Sequence, residues 1–224
     1  MKMATTKRTL AFLHTSHVAI PVFAKLAKDY LKGNDGFHMS DESLIRNTIA
    51  AGGLTDNTVR RLSGLISIAR DGGADAVLVT CSSIGKATAM LRSQFDFPVI
   101  RVDEAMAERA VELGVRIGVA ATLITTLQPT LELLRETALR AGKDVELIPA
   151  LAAGAFEAAS AGDVAEHDRL LLETLAALTP KVDVVVLAQA SMARVAALLP
   201  TGGPPVLASP EMAMQRAAAE LANL

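Results

Sequence analysis

The chain holds a single cysteine, Cys81, within VLVTCSSIGKA at 77–87. An apolar run stops at this residue, and serines rather than apolar residues follow it. A free cysteine is most often a small buried hydrophobe, so packing is the ordinary reading. Its position argues for chemistry. A thiol at the end of a strand and the start of a helix meets the positive end of the helix dipole, which is expected to lower its pKa. VVVLAQASMARV at 184–195 repeats the layout with Gln189 near the equivalent place. His14 closes the run TLAFLHT at 9–15. There it is placed to approach Cys81 and help form a thiolate. His17, His38 and His167 make weaker claims. EHDR at 166–169 lies in a helical pattern, so His167 is expected to face solvent. No metal site is expected, since one cysteine excludes both an internal disulfide and a zinc site built on cysteines.

These residues need elements to hold them. Apolar runs of strand length alternate with longer segments of helical period. Strands are expected at 9–15, 36–40, 74–81, 98–102, 116–122, 145–151, 182–189 and 205–210. Helices are expected at 19–32, 41–53, 55–73, 83–95, 103–113, 126–141, through 154–178, near 191–199, and from Pro210 to the end. Asp41 reads as a helix cap. Such alternation predicts an α/β fold of mostly parallel sheets flanked by helices. A weak internal symmetry relates GADAVLVTCSSIGKA…FPVIRVDEAMAERA to KVDVVVLAQASMARV…PPVLASPEMAMQRA. It predicts two pseudo-symmetric domains, 1–102 plus 211–224 and 103–210.

Ligands of parallel sheets bind beyond the carboxyl ends of the strands. The candidates there are His14, Thr15, Ser16, Cys81, Ser82, Ser83, Thr122, Thr125, Gln189 and Ser191. The set is small, polar and nearly uncharged. Hydroxyls and backbone N–H groups at helix N-termini suit a small carboxylate. Capping also explains Thr122 and Thr125, and Met192, Met212 and Met214 read as core.

Composition narrows the partners. Aromatic residues make up 3% of the chain and the formal net charge is −2, so neither a stacking surface nor a basic patch marks a nucleic-acid binder. No run approaches the roughly 20 apolar residues of a membrane span, and LAFL near the start is too short for a signal core. A cytoplasmic protein is expected, with a homodimer as the default assembly. No G-x-G-x-x-G follows a strand and no G-x-S-x-G elbow occurs.

FLHTSHVAI, VTCSSIG, RIGVAATLITT, VVVLAQASMA and VLASP, in that order, resemble the aspartate/glutamate/hydantoin racemase superfamily. The resemblance covers about residue 9 to the end. It implies an active site in the cleft between two α/β domains and chemistry without a cofactor. Its racemases use two cysteines on opposite substrate faces. Cys81 matches the first. The second falls at or next to Gln189, which has no titratable proton in the useful range. Ser82 and Ser83 match a carboxylate-holding pair, Thr122 and Thr125 a threonine pair of the same role, and Thr15 a small hydroxyl residue. His14 stands where glutamate racemases carry an acid, and Ser191 is placed to bind substrate. Maleate cis–trans isomerases and arylmalonate decarboxylases share the superfamily. The implied function is a one-thiol racemase or isomerase of a small carboxylate or related carbonyl compound. The alternatives are decarboxylation, cis–trans isomerisation, hydrolysis through Cys81, or binding of a small acid without turnover.

Overall fold

The computed structural model describes residues 7–224. Its order is β1 (Thr9–His14), α1 (Ile20–Tyr30), β2 (Asp35–Ser40), α2 (Glu42–Ala50), α3 (Asp56–Asp71), β3 (Ala76–Val79), α4 (Gly85–Leu91) and β4 (Val99–Arg101). There follow α5 (Glu104–Leu113), β5 (Arg116–Ala121), α6 (Ile124–Arg140), β6 (Glu146–Leu151), α7 (Ala155–Ser160), α8 (Val164–Leu178), β7 (Val184–Leu187), α9 (Ala193–Ala196), β8 (Val206–Ala208) and α10 (Ser209–Ala222). Two parallel four-stranded sheets result, ordered β2-β1-β3-β4 and β6-β5-β7-β8. The α/β fold with two parallel sheets is the one expected. Two compact units contain them, one of residues up to Val102 with Ala213–Leu224, the other Asp103–Met212.

The central strands are continuous apolar runs because both faces are covered. In the first unit Ala11, Leu13, Val77 and Val79 pack with Leu44 of α2, Leu62, Ile66 and Ala69 of α3, and Ala87 and Leu91 of α4. In the second, Ala120, Val185 and Leu187 pack with Leu171, Leu175 and Leu178 of α8 and Val195 of α9. The opposite face joins Ile117, Val119, Val184 and Val186 to α5 and α6. Caps fix the helix starts: Asp41 accepts from the Ser43 N–H, Thr55 from the Thr58 N–H, and Asp163 from the Glu166 N–H. Each removes one orphan donor at a helix start.

Several boundaries differ from the sequence reading. The strands expected to reach Cys81 and Gln189 stop at Val79 and Leu187, because the chain turns there into short 3₁₀ turns, Ser82–Ile84 and Ala190–Met192. The helix expected over 83–95 divides into this turn, α4, and a second 3₁₀ turn, Arg92–Gln94. That expected near 191–199 shrinks to the four residues of α9. The span 154–178 splits into α7 and α8, since Gly162 takes φ 82°, which a helix interior forbids. No described helix is long and apolar enough to cross a membrane.

Candidate functional site

The two units present the same local device at the carboxyl ends of their central strands. Leu13 is registered with Val79, and Ala120 with Leu187. Two residues further along each pair stand Thr15 with Cys81 and Thr122 with Gln189. Cys81 and Gln189 both cap the 3₁₀ turn that follows, with extended backbones of φ −127° and −123°.

In the first unit four groups favour the charged form of the thiol, the hydroxyls of Thr15 and Ser83 and the backbone N–H groups of Ser83 and Ile84, although the Cys81 side chain makes no cap hydrogen bond to its turn. Burial opposes them and is the largest influence, so the Cys81 thiol lies above its ordinary pKa. This corrects the expectation of a lowered value. The turn's N–H groups do lower it as a helix start should, but desolvation outweighs them. Ser82 is buried in the same turn and Ser16 half-buried past β1.

His14 does not join this group. Side chains alternate along a strand, so Thr15 shares the Cys81 face while His14 points through the other. Its Nδ1 lies 2.8 Å from Thr80 Oγ1 and its Nε2 2.9 Å from His38 Nδ1. Its ring stacks with His38 at 5.1 Å and meets Phe23 at 5.8 Å. Burial first, and then His38, push its pKa down to about 4. His14 is therefore neutral at pH 7. Both its nitrogens are engaged away from the sulfur, so the thiol's hydroxyl partner from β1's end is Thr15, which the sequence reading had marked for substrate.

In the second unit Gln189 Oε1 accepts from the Thr122 N–H at 2.7 Å, and Gln189 Nε2 donates to Thr122 Oγ1 at 2.6 Å. An amide is both donor and acceptor, so it closes a two-bond ring that a thiol cannot. Thr125 sits in the first turn of α6, a helix that opens with no side-chain cap. Its Oγ1 is buried with no hydrogen-bond partner. Ser191 is exposed.

His167 also corrects the sequence reading. It is 2% exposed and heads the buried stripe His167, Leu171, Leu175, Leu178 of α8. Its Nδ1 is 2.8 Å from Asp168 Oδ1, and Arg194 bonds the same carboxylate. The i, i+4 spacing from Leu171 was the signal that could have placed it inward. Asp41 is half-buried, capping α2 and paired with Arg61. Met192 and Met214 are buried, Met212 partly so. No group of three or more potential His, Cys, Asp or Glu metal ligands occurs among the described residues.

The sequence matches the profile of the Asp/Glu/Hydantoin racemase family over residues 4–217. No curated protein matches it. Among solved structures it is similar to a glutamate racemase isoform from Bacillus anthracis, at 16% identity and a TM-score of 0.75, covering 98% of this chain and 83% of that one. The aspartate racemase of Picrophilus torridus is 11% identical with a TM-score of 0.67, covering 95% of each chain. The allantoin racemase of Klebsiella pneumoniae is 16% identical with a TM-score of 0.67, covering 97% of this chain and 88% of that one. At these identities the structural likeness concerns the fold.

Proposed function

Because the chain belongs to the Asp/Glu/hydantoin racemase family, we propose that it is an isomerase of a small carboxylate or related carbonyl compound, with Cys81 as its working acid/base or nucleophile. The observation that carries this is the place of Cys81 at the start of the Ser82–Ile84 turn, where two hydroxyls and two backbone N–H groups favour its charged form. A packing cysteine needs none of them, whereas a thiolate needs its charge met.

Taking a proton from the carbon beside a carboxylate puts a second negative charge on the carboxylate oxygens. N–H and O–H donors fixed in advance lower that barrier. The uncapped start of α6, with Thr122 and the unpartnered hydroxyl of Thr125, is the proposed carboxylate-binding element. Ser16, Ser82 and Ser191 are the remaining proposed substrate contacts. Gln189 binds and does not transfer protons, since its amide is not titratable and is tied to Thr122.

That last point favours a second reading, cis–trans isomerisation of an unsaturated acid. There one thiolate adds to the double bond, the resulting single bond rotates, and the thiolate leaves. The test incubates the protein in heavy water with both enantiomers of small amino and hydroxy acids, hydantoins and a cis-unsaturated diacid. Exchange of the carbon-bound hydrogen supports the first reading, and a geometric isomer without exchange supports the second. Either must vanish in Cys81→Ala. Turnover that persists in Cys81→Ala overturns both.

A further inference from the structure

Behind the sheet that carries Cys81 lies a polar chain that the second unit lacks. Leu13 O accepts the Thr80 N–H at 3.0 Å and the Thr80 hydroxyl at 3.2 Å. The hydroxyl has one hydrogen; with it on Leu13 O, Thr80 Oγ1 accepts from His14 Nδ1–H at 2.8 Å. His14 Nε2 is then left to accept from His38 Nδ1–H at 2.9 Å. Phe12 stacks on the His38 ring at 4.6 Å, and Phe23 of α1 closes against His14. One residue past the registered pairs, the first unit thus has His14 and Thr80. The second unit has Ala121 and Ala188 there, both fully buried. A parallel sheet of this design is held together without such a chain. Among the described residues the chain occurs only behind the thiol.

We infer that His14 is a positioning residue for Cys81, acting from the opposite face of the sheet through Thr80. The Thr80 carbonyl carbon is bonded to the Cys81 nitrogen. Pinning the Thr80 side chain to both Leu13 and His14 fixes the peptide plane from which Cys81 enters its turn. That plane sets whether the Ser83 and Ile84 N–H groups reach the sulfur. His38 completes the device by fixing the His14 tautomer. The inference rests on the reading of Cys81 as the working group, and gives His14 a different role from a base on the thiol.

The test measures the rate of iodoacetamide alkylation against pH in the intact protein, where the single cysteine makes the adduct unambiguous. The variants are His14→Ala, His14→Asn, Thr80→Val, Thr80→Ser and the Ala/Val double variant. His14→Ala and Thr80→Val each lose the buried His14–Thr80 hydrogen bond of the chain, so each is expected to slow alkylation by about two- to tenfold at a fixed alkaline pH. The double variant is expected to be no slower than the slower single one. His14→Asn keeps an N–H near the place of Nδ1–H, and Thr80→Ser keeps the hydroxyl, so both should return most of the rate. Should His14→Ala fail to fold, the Thr80 pair decides alone. The inference is overturned if His14→Asn is as slow as His14→Ala, if Thr80→Val alkylates like the parent, or if the two losses add. Alkylation does not require turnover, so failure here and failure of the isomerase reading are separate results.

Discussion

Thr122 and Gln189 hold each other through two hydrogen bonds, in the place where Thr15 and Cys81 meet in the other unit. The matching positions argue that the pair of elements is a repeated device. Only its second member has changed chemistry, from a titratable thiol to an amide.

The Gln189 side chain therefore has a measurable structural share. Gln189→Ala leaves the Thr122 N–H and hydroxyl without their partner and should cost about 1–3 kcal/mol in urea unfolding. Gln189→Glu should cost less, because its carboxylate accepts from both groups.

Thr15 gives a prediction on the thiol itself. Thr15→Val removes one donor from the sulfur and should raise the Cys81 pKa further, slowing alkylation at fixed pH by about two- to tenfold. A pH–rate profile displaced to the alkaline side, with an unchanged plateau, is the expected form.

Acid should weaken the fold through His14. Its folded pKa is about 4 against an ordinary 6.5. The unfolded chain therefore binds the proton first as pH falls. The stabilisation is full above about 6.5 and is lost as pH drops toward 4, by up to about 3 kcal/mol. Urea midpoints measured across that window should show the slope, and His14→Asn should flatten it. His38, whose pKa is also lowered by burial, adds a slope of the same sign.

Gly85 opens α4 just past the cysteine turn. A Cβ there would lie within the Arg101 guanidinium, which is itself buried. Gly85→Ala should displace Arg101, cost about 1–3 kcal/mol, and slow Cys81 alkylation by disturbing the turn. Thermal unfolding together with the alkylation rate checks both.

Much of this was legible in the residue order. Runs such as AVLV and VVVL read as strands buried on both faces, and the cap Asp41 marked its helix plainly. Strand ends were less legible, since Thr80 and Ala188 continue the run of apolar or small residues while the backbone has already turned. His14 was misjudged because the end of a strand says how far along the sheet a residue lies, but not through which face it points. Counting by twos from Ala11, Leu13 and Thr15 would have placed it opposite Cys81. His167 was misjudged because its charged neighbours hid a spacing of four to Leu171.

The cysteine's solitude bears on damage as well as on catalysis. A sulfenic acid formed at Cys81 would find no second thiol in the chain to condense with, so no internal disulfide could protect it from irreversible over-oxidation. Recovery would depend on an outside reductant reaching a half-buried sulfur. The same burial that holds the thiol protonated slows its first reaction with peroxide, because the thiolate is the oxidisable form.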